Sequence, residues 1–129
     1  MKTLRALVVD DSQFARKMLC VALQNTAIAD WTFQTAGTGL EAIRFLKEFE
    51  YDLVVTDVNM PELSGPGLLR YIRRTPRLEA LPVIIVSSVG SGLALPNLVE
   101  QGATTVLAKP ITTPESIARL TEVITELLR

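Results

Sequence analysis

The middle of the chain reads Leu53-Val54-Val55-Thr56-Asp57, a run of apolar and β-branched residues that ends in a carboxylate. Such runs are typical of strands that are covered on both faces of a parallel sheet. Two further runs have the same character, Leu7-Val8-Val9 and Val83-Ile84-Ile85-Val86. Because stretches of helical periodicity alternate with these runs along the whole chain, the sequence predicts five βα units around a parallel sheet.

The predicted strands differ in how they are covered. Strand two alternates between apolar and polar residues, with Trp31, Phe33 and Thr35 on one side, which indicates a strand at the edge of the sheet. The predicted strands are Arg5 to Val9, Trp31 to Ala36, Leu53 to Asp57, Val83 to Ser87 and Thr105 to Ala108.

Capping residues predict where several helices begin. Ser12 can cap the first helix, and Thr113 followed by Pro114 suits the start of the last one. In the fourth helix Pro96 is tolerated only if the helix begins close to it. The apolar stripe of the first helix contains Phe14, Met18 and Ala22. Helices two and three are predicted over Gly39 to Phe49 and Ser64 to Arg74.

Composition limits the function classes. With 129 residues, of which 48% are hydrophobic, residues 1–129 are expected to form one domain with its own core. A formal net charge of −1 without a basic stripe argues against nucleic acid and membrane surfaces as direct partners. The single cysteine, Cys20, and the absence of an apolar run of transmembrane length favour a cytoplasmic location. The absence of histidine excludes Ser-His-Asp catalysis and zinc sites that rely on imidazole.

Polar side chains follow four of the five predicted strands. In an open parallel α/β sheet, ligands bind outside the carboxyl ends of the strands. Taken singly, each of these residues has an ordinary explanation, such as a helix cap, a local hydrogen bond or a solvated lysine. Together they predict one site, which contains Asp10-Asp11, Asp57, Ser87-Ser88 and Lys109-Pro110.

The chemistry of this set points to phosphoryl transfer. Three converging carboxylates repel one another and require a cation. Oxygen ligands suit Mg²⁺, which proteins usually hold through one or two carboxylates together with phosphate oxygens. Lys109 would supply further positive charge to a phosphoryl group, whose transfer depends mainly on positioning and electrostatic stabilisation.

On these residues the chain resembles the response-regulator receiver domains of two-component signalling, close to the chemotaxis-regulator (CheY-like) type. The resemblance implies a single doubly wound (βα)5 flavodoxin-like domain, with a five-stranded parallel sheet in the order 2-1-3-4-5. It is carried by Val8-Val9-Asp10-Asp11-Ser12 with Arg16, by Thr56-Asp57-Val58-Asn59-Met60-Pro61 with Gly65, by Val83-Ile84-Ile85-Val86-Ser87-Ser88, and by Gly102-Ala103 before Lys109-Pro110.

The resemblance also implies a role for each acid. Asp57 would be the nucleophile that takes a phosphoryl group from a phosphohistidine on a sensor histidine kinase or a phosphotransfer protein. Asp11 and Asp57 would bind Mg²⁺, or Mn²⁺ in its place, together with the main-chain carbonyl of Asn59. Asp10 would act mostly through bound water. No further cofactor is implied, and the protein would catalyse only its own phosphorylation and dephosphorylation.

The remaining implied roles belong to the ends of strands four and five. Ser87 would donate a hydrogen bond to the aspartyl phosphate, and Lys109 would pair with it. Ser88 would flank the phosphoryl group and influence its lifetime. The bond between Lys109 and Pro110 would be a cis peptide that shapes the mouth of the pocket.

One position departs from the family pattern. Receivers usually carry tyrosine or phenylalanine on strand five, where this chain has Val106. Valine is stiff at its one side-chain torsion and too short to report a movement outward. We therefore hypothesise that the signal to an unidentified output protein leaves through the Gly90 to Leu95 loop and helix four.

Four other functions are alternatives to a phosphorylation-controlled binding switch. Two stay open: a phosphotransfer intermediate that passes the group onward, and a receiver-like module that binds partners without phosphorylation. An aspartyl-phosphate phosphatase is disfavoured, because that family has a second acid where this chain has Asn59. A flavin carrier is disfavoured because Asp10 and Asp11 would repel the flavin phosphate.

Overall fold

The computed structural model describes residues 1–88 and 95–128 of the chain. Its five strands form one parallel sheet in the order β2-β1-β3-β4-β5, which confirms the predicted topology. The strands are β1 (Thr3–Val9), β2 (Asp30–Ala36), β3 (Leu53–Asp57), β4 (Val83–Ser87) and β5 (Thr105–Ala108).

The strand boundaries agree closely with the prediction. β3, β4 and β5 have the predicted bounds, and β2 lies at a sheet edge as expected. β1 begins two residues earlier than predicted, at Thr3, and β2 begins one residue earlier, at Asp30. These two residues are paired with each other in the sheet. The extra length of both strands therefore comes from their mutual pairing and not from an apolar pattern.

Five α-helices and a short 3₁₀ turn, Pro76–Leu78, connect the strands. The Ser12 and Thr113 side chains cap α1 and α5 as predicted, by accepting hydrogen bonds from Ala15 N–H and Ser116 N–H. Pro96 is the second residue of α4, so this helix begins close to the proline, as predicted. The helices are α1 (Gln13–Asn25), α2 (Gly39–Glu48), α3 (Gly65–Arg74), α4 (Leu95–Glu100) and α5 (Pro114–Leu127).

The sheet is covered by helices on both faces. Alternate residues of β1 point to opposite sides, so that Leu7 joins one apolar core and Val8 the other. The core with Leu7 is completed by α2, α3 and α4, and the core with Val8 by α1 and α5. Because both faces of the inner strands are buried, their polar carboxyl ends are the part of these strands that reaches solvent. No helix in the described part of the chain is long and apolar enough to cross a membrane.

The first turn of α1 differs from the expected apolar stripe. Ala22 is buried and Met18 partly buried, but 72% of Phe14 is exposed. Phe14 is the second residue of the helix, directly after the Ser12 cap. It therefore stands beside the carboxyl ends of the strands, where no core is available to cover it.

Candidate functional site

The three predicted acids meet at the carboxyl ends of β1 and β3. Asp10, Asp11 and Asp57 each contribute one carboxylate oxygen to a cluster in which all three atoms lie within 4.8 Å of one another. Their environments differ: Asp10 is buried, with 1% of its surface exposed, Asp57 is partly buried, and Asp11 is exposed. Separations of this kind allow the three side chains to share one cation.

Lys109, at the end of β5, lies against two of these acids. Its Nζ donates a hydrogen bond to Asp10 Oδ2 at 2.7 Å and is 3.3 Å from Asp57 Oδ1. The Lys109 main-chain N–H donates to the Ser87 carbonyl at 2.8 Å, and the peptide bond to Pro110 is cis, as predicted. The lysine thus joins strands β1, β3 and β5 across the intervening β4.

The electrostatics of the site follow from this arrangement. Burial and the charge of Asp10 raise the pKa of Asp57, while Lys109 and the Val58 N–H oppose the increase. Burial by itself would lower the pKa of Lys109, but the hydrogen bonds and charges of Asp10 and Asp57 raise it overall. Burial and the neighbouring Asp10 carboxylate thus outweigh Lys109 in their effect on the pKa of Asp57, and a further cation close to these carboxylates would oppose the increase.

The main chain around Asp57 is held by the residues that follow it. Val58 N–H donates to Asp57 Oδ1 at 2.8 Å, and Gly65 N–H donates to the Val58 carbonyl at 2.8 Å. A Cβ atom at Gly65 would lie 2.2 Å from the Asp57 carbonyl oxygen. This close approach requires glycine at the start of α3 and fixes the backbone that carries Asp57.

The two serines at the end of β4 stand apart from the charged network. Ser87 is buried, with 2% of its surface exposed, and its hydroxyl donates to the Ser88 carbonyl at 3.3 Å. Ser88 is exposed. Ser87 follows Val86, which pairs with Asp57 in the sheet, so its hydroxyl belongs to the same edge as the acids.

The other predicted site residues surround this edge. Asn59 is exposed in the loop after β3, and Pro110 is exposed in the loop after β5. Val106 is partly buried on β5, where it pairs with Ile85 and packs against the core of α2, α3 and α4. Apart from Leu95, the predicted Gly90 to Leu95 output route lies outside the described residues.

An apolar cleft adjoins the charged pocket. It has a volume of about 260 Å³ and lies between the first half of α1 and the loop after β5. Lys109 belongs to both the cleft and the charged pocket. The other lining residues are Phe14, Ala15, Met18, Leu19, Pro110, Ile111 and Thr112.

Sequence reasoning missed three contributors to this region. Arg16 was noted without a role, yet its Nη1 donates to the Asp10 carbonyl at 2.7 Å. Gly65 was likewise noted without a role, although a glycine at the start of a helix is a recognisable signal of close backbone approach. Phe14 was assigned to an apolar stripe, and nothing in its spacing distinguishes an exposed aromatic from a buried one.

Comparison with known proteins decides the family. The family model described as response regulator receiver domain matches residues 6–121. The chain belongs to this family. It is a receiver domain of two-component response regulators, of the CheY-like type that the sequence predicted.

Individual relatives agree with this assignment. A probable chemotaxis protein CheY of Rhizobium etli is 32% identical over 109 residues, which cover 84% of this chain and 83% of that protein. A protein-glutamate methylesterase/protein-glutamine glutaminase of Caldanaerobacter subterraneus subsp. tengcongensis is 38% identical over 111 residues, or 84% of this chain but 29% of that longer protein. The chemotaxis response regulator CheY4 of Vibrio cholerae superposes with a TM-score of 0.80 and 28% identity, covering 95% of this chain and 99% of that one. The receiver fold, a flavodoxin-like (βα)5 sheet, is thereby confirmed.

Proposed function

We propose that Asp57 is the phosphoacceptor of this receiver domain. The observation that carries the proposal is the position of its carboxylate, 3.3 Å from Lys109 Nζ and in one cluster with Asp10 and Asp11. A carboxylate oxygen attacks the phosphorus of a phosphohistidine, the new O–P bond forms as the P–N bond breaks, and the imidazole leaves with the bonding electron pair. Hydrolysis by water later releases inorganic phosphate and restores the carboxylate.

We further propose that the acid cluster holds Mg²⁺, with Mn²⁺ as an alternative. The oxygen donors are the Asp11 and Asp57 carboxylates and the main-chain carbonyl of Asn59, with Asp10 acting through bound water. The cluster fits this role because its ligand atoms are all carboxylate oxygens within 4.8 Å of one another. When bound, the metal neutralises charge on the phosphoryl oxygens and orients the group.

The chain's own donors complete the proposed pocket. The Lys109 ammonium turns partly from Asp57 to a phosphoryl oxygen. Its hydrogen bond to Asp10 keeps the side chain in place. The Ser87 hydroxyl turns from the Ser88 carbonyl to the phosphoryl group. We assign to Ser88 an effect on the phosphoryl lifetime and to Pro110 the shape of the pocket mouth. With Val106 in place of the usual aromatic residue, the output route through helix four remains our hypothesis.

The partners follow from this chemistry. The donor is a sensor histidine kinase or a histidine phosphotransfer protein, and phosphorylation changes the affinity for an output protein. We propose that residues 1–129 form one cytoplasmic receiver domain with no nucleic acid or membrane among its direct partners. Its only catalysis would be its own phosphorylation and dephosphorylation. Passing the group onward and binding without phosphorylation are the alternatives to be tested.

The apolar cleft beside Lys109 supports docking of the donor protein. Phe14 is a large aromatic side chain at 72% exposure, and it lies next to a lysine that contacts the phosphoacceptor. Exposed aromatic residues are common anchors of protein interfaces. We expect Phe14→Ala to slow transfer from an autophosphorylated histidine kinase that serves the wild type, and to leave the reaction with acetyl phosphate unchanged. If Phe14→Ala is phosphorylated as fast as the wild type by the kinase as well as by acetyl phosphate, this docking site is excluded.

The direct test of the proposed function is incubation with Mg²⁺ and acetyl phosphate, followed by intact mass measurement. The wild type should gain the mass of one phosphoryl group, and Asp57→Asn should gain none. EDTA should prevent the gain, because the reaction depends on the metal. A mass gain that survives in Asp57→Asn would reject Asp57 as the acceptor, and no gain in either protein would favour the phosphorylation-independent module.

A further inference from the structure

The two neighbouring acids at the end of β1 are held very differently. Asp10 Oδ1 accepts a hydrogen bond from Ser12 N–H at 3.0 Å, and Asp10 Oδ2 accepts one from Lys109 at 2.7 Å. The Asp11 side chain is exposed and makes no hydrogen bond or ion pair with the described residues. Apart from its own side-chain torsions, the position of the Asp11 carboxylate therefore depends on the main chain that carries it.

That main chain is fixed from two sides at Asp10. The Asp10 N–H donates to the Ala36 carbonyl at 3.1 Å, which continues the pairing of β1 with β2. The Asp10 carbonyl accepts a hydrogen bond from Arg16 Nη1 at 2.7 Å. Because a peptide unit is planar, a fixed Asp10 carbonyl also fixes the N–H and Cα of Asp11. Arg16 thus acts on Asp11 through one rigid peptide plane.

A glycine provides the space that Arg16 occupies. A Cβ atom at Gly37 would lie 3.3 Å from Arg16 Nη1, closer than an ordinary van der Waals contact. The Gly37 backbone does not adopt the left-handed conformation that favours glycine. Its N–H donates to Glu41 Oε1 at 2.8 Å, which holds the loop between β2 and α2 in place. The guanidinium of Arg16 thus lies in the space that a side chain at position 37 would border.

We propose that Arg16, seated against Gly37, is a positioning residue for the divalent-cation site. It fixes the Asp10 carbonyl and so keeps the Asp11 carboxylate within reach of the metal. The inference rests on the proposed Mg²⁺-dependent function and adds a residue to which no metal role was assigned. Residues that orient metal ligands without touching the metal typically contribute about 10–100-fold to metal affinity.

The direction in which Mg²⁺ affinity changes when Arg16 is removed separates a positioning role from an effect of its charge alone. Arg16 is a cation near a cation site, so its charge alone weakens Mg²⁺ binding, and its removal would strengthen binding. Positioning predicts the opposite, because without the hydrogen bond the Asp11 main chain loses its constraint. Lys17 is an exposed cation at the next position of α1 and provides a matched control for charge.

The test is isothermal titration of Mg²⁺ into the metal-free full chain, with urea unfolding of each variant. We expect Arg16→Met to weaken Mg²⁺ binding about tenfold, and Gly37→Ala to weaken it by a smaller factor of about two to three, since the guanidinium must shift by only tenths of an ångström. Lys17→Met should bind as tightly as the wild type or slightly more tightly. Arg16→Lys keeps the charge but shortens the reach, so its affinity should fall between those of Arg16→Met and the wild type.

Phosphorylation by acetyl phosphate gives a second readout. The rate deficit of Arg16→Met should shrink as the Mg²⁺ concentration rises, because the defect is in metal affinity. If the wild type itself binds no Mg²⁺, the proposed metal site fails. If the wild type binds Mg²⁺ and Arg16→Met binds it equally or more tightly, only the role of Arg16 is overturned. Should Arg16→Met fail to fold, Arg16→Lys decides, and wild-type Mg²⁺ affinity in that variant rejects the inference.

Discussion

The two halves of the pocket are built in different ways. In the charged half, at the ends of β1, β3 and β5, Lys109 lies 2.7 Å from Asp10 Oδ2 and 3.3 Å from Asp57 Oδ1. In the hydroxyl half, at the end of β4, the Ser87 hydroxyl donates to the adjacent Ser88 carbonyl at 3.3 Å. The charged half is assembled by strong mutual contacts, whereas the hydroxyl half holds a long hydrogen bond that is easily exchanged.

The difference indicates how such a pocket can be both stable and responsive. A hydrogen bond to a charged group contributes roughly 1.5–3 kcal/mol, and a neutral one roughly 0.5–1.5 kcal/mol. The hydrogen bond of Ser87 is therefore more favourable when its hydroxyl donates to a charged phosphoryl oxygen than when it donates to the Ser88 carbonyl. Moving a switch from mostly off to mostly on takes about 5.5 kcal/mol of differential interaction, more than Ser87 alone supplies. The remainder must come from Lys109 and the bound cation.

The largest expected effect comes from breaking the charged half at Lys109. Lys109→Met leaves the buried Asp10 without its cation, and the metal-free protein should lose about 2–3 kcal/mol of unfolding free energy. We expect less than for a fully buried pair, because 25% of the Lys109 side chain is exposed. Urea unfolding with Lys17→Met as the exposed control would measure this, and Mg²⁺ should restore part of the loss. A variant as stable as the control would show that the pairing contributes little.

A smaller effect is expected in the hydroxyl half. Ser87→Ala should slow phosphorylation by acetyl phosphate about tenfold, equivalent to about 1.4 kcal/mol. Mg²⁺ affinity, measured by calorimetry, should not change, because the Ser87 hydroxyl donates to the Ser88 carbonyl and not to an acid of the cluster. Ser87→Thr retains the hydroxyl and should recover much of the rate. A parallel loss of Mg²⁺ affinity in Ser87→Ala would contradict the separation of the two halves.

The smallest effect concerns the pH dependence of stability. Burial and Asp10 raise the pKa of Asp57 in the folded protein, so ionisation of Asp57 opposes folding. Metal-free Asp57→Asn should therefore be more stable than the wild type at neutral pH. The difference should vanish as the pH falls below the ordinary aspartate pKa of about 3.9, where both side chains are neutral.

Chemical unfolding over this pH range would measure the effect, with Asp30→Asn as a control for the loss of an exposed carboxylate. Saturating Mg²⁺ should also remove the difference by stabilising the wild type. A wild type that is more stable than Asp57→Asn at neutral pH without metal would mean that Lys109 more than compensates the repulsion.

Much of this architecture could be predicted from the sequence. The inner strands β3 and β4 have the predicted bounds, since continuous β-branched runs mark strands buried on both faces. Asp10, Asp57, Ser87 and Lys109 could be assigned to one edge because the carboxyl ends of parallel strands converge. The order of the strands came from resemblance and not from the spacing of residues.

The features that could not be predicted depend on contacts that form only in the folded chain. The contact of Gly65 with the Asp57 carbonyl joins the start of α3 to the end of β3, and Arg16 of α1 passes beside Gly37 in the loop after β2. Helical periodicity placed Phe14 on the apolar stripe of α1, but it cannot show that the first turn extends beyond the core. A glycine at the start of a helix can signal a close approach, but the sequence does not say which neighbour it approaches.

The central claim is that Asp57 receives the phosphoryl group. Borohydride reduction of the protein after treatment with Mg²⁺ and acetyl phosphate converts a phosphorylated aspartate to homoserine, which peptide mass mapping locates. We predict homoserine at position 57 only, and none when Mg²⁺ is removed by EDTA. Homoserine at Asp10 or Asp11 in place of Asp57, or an unmodified peptide despite a gain in intact mass, would contradict the account.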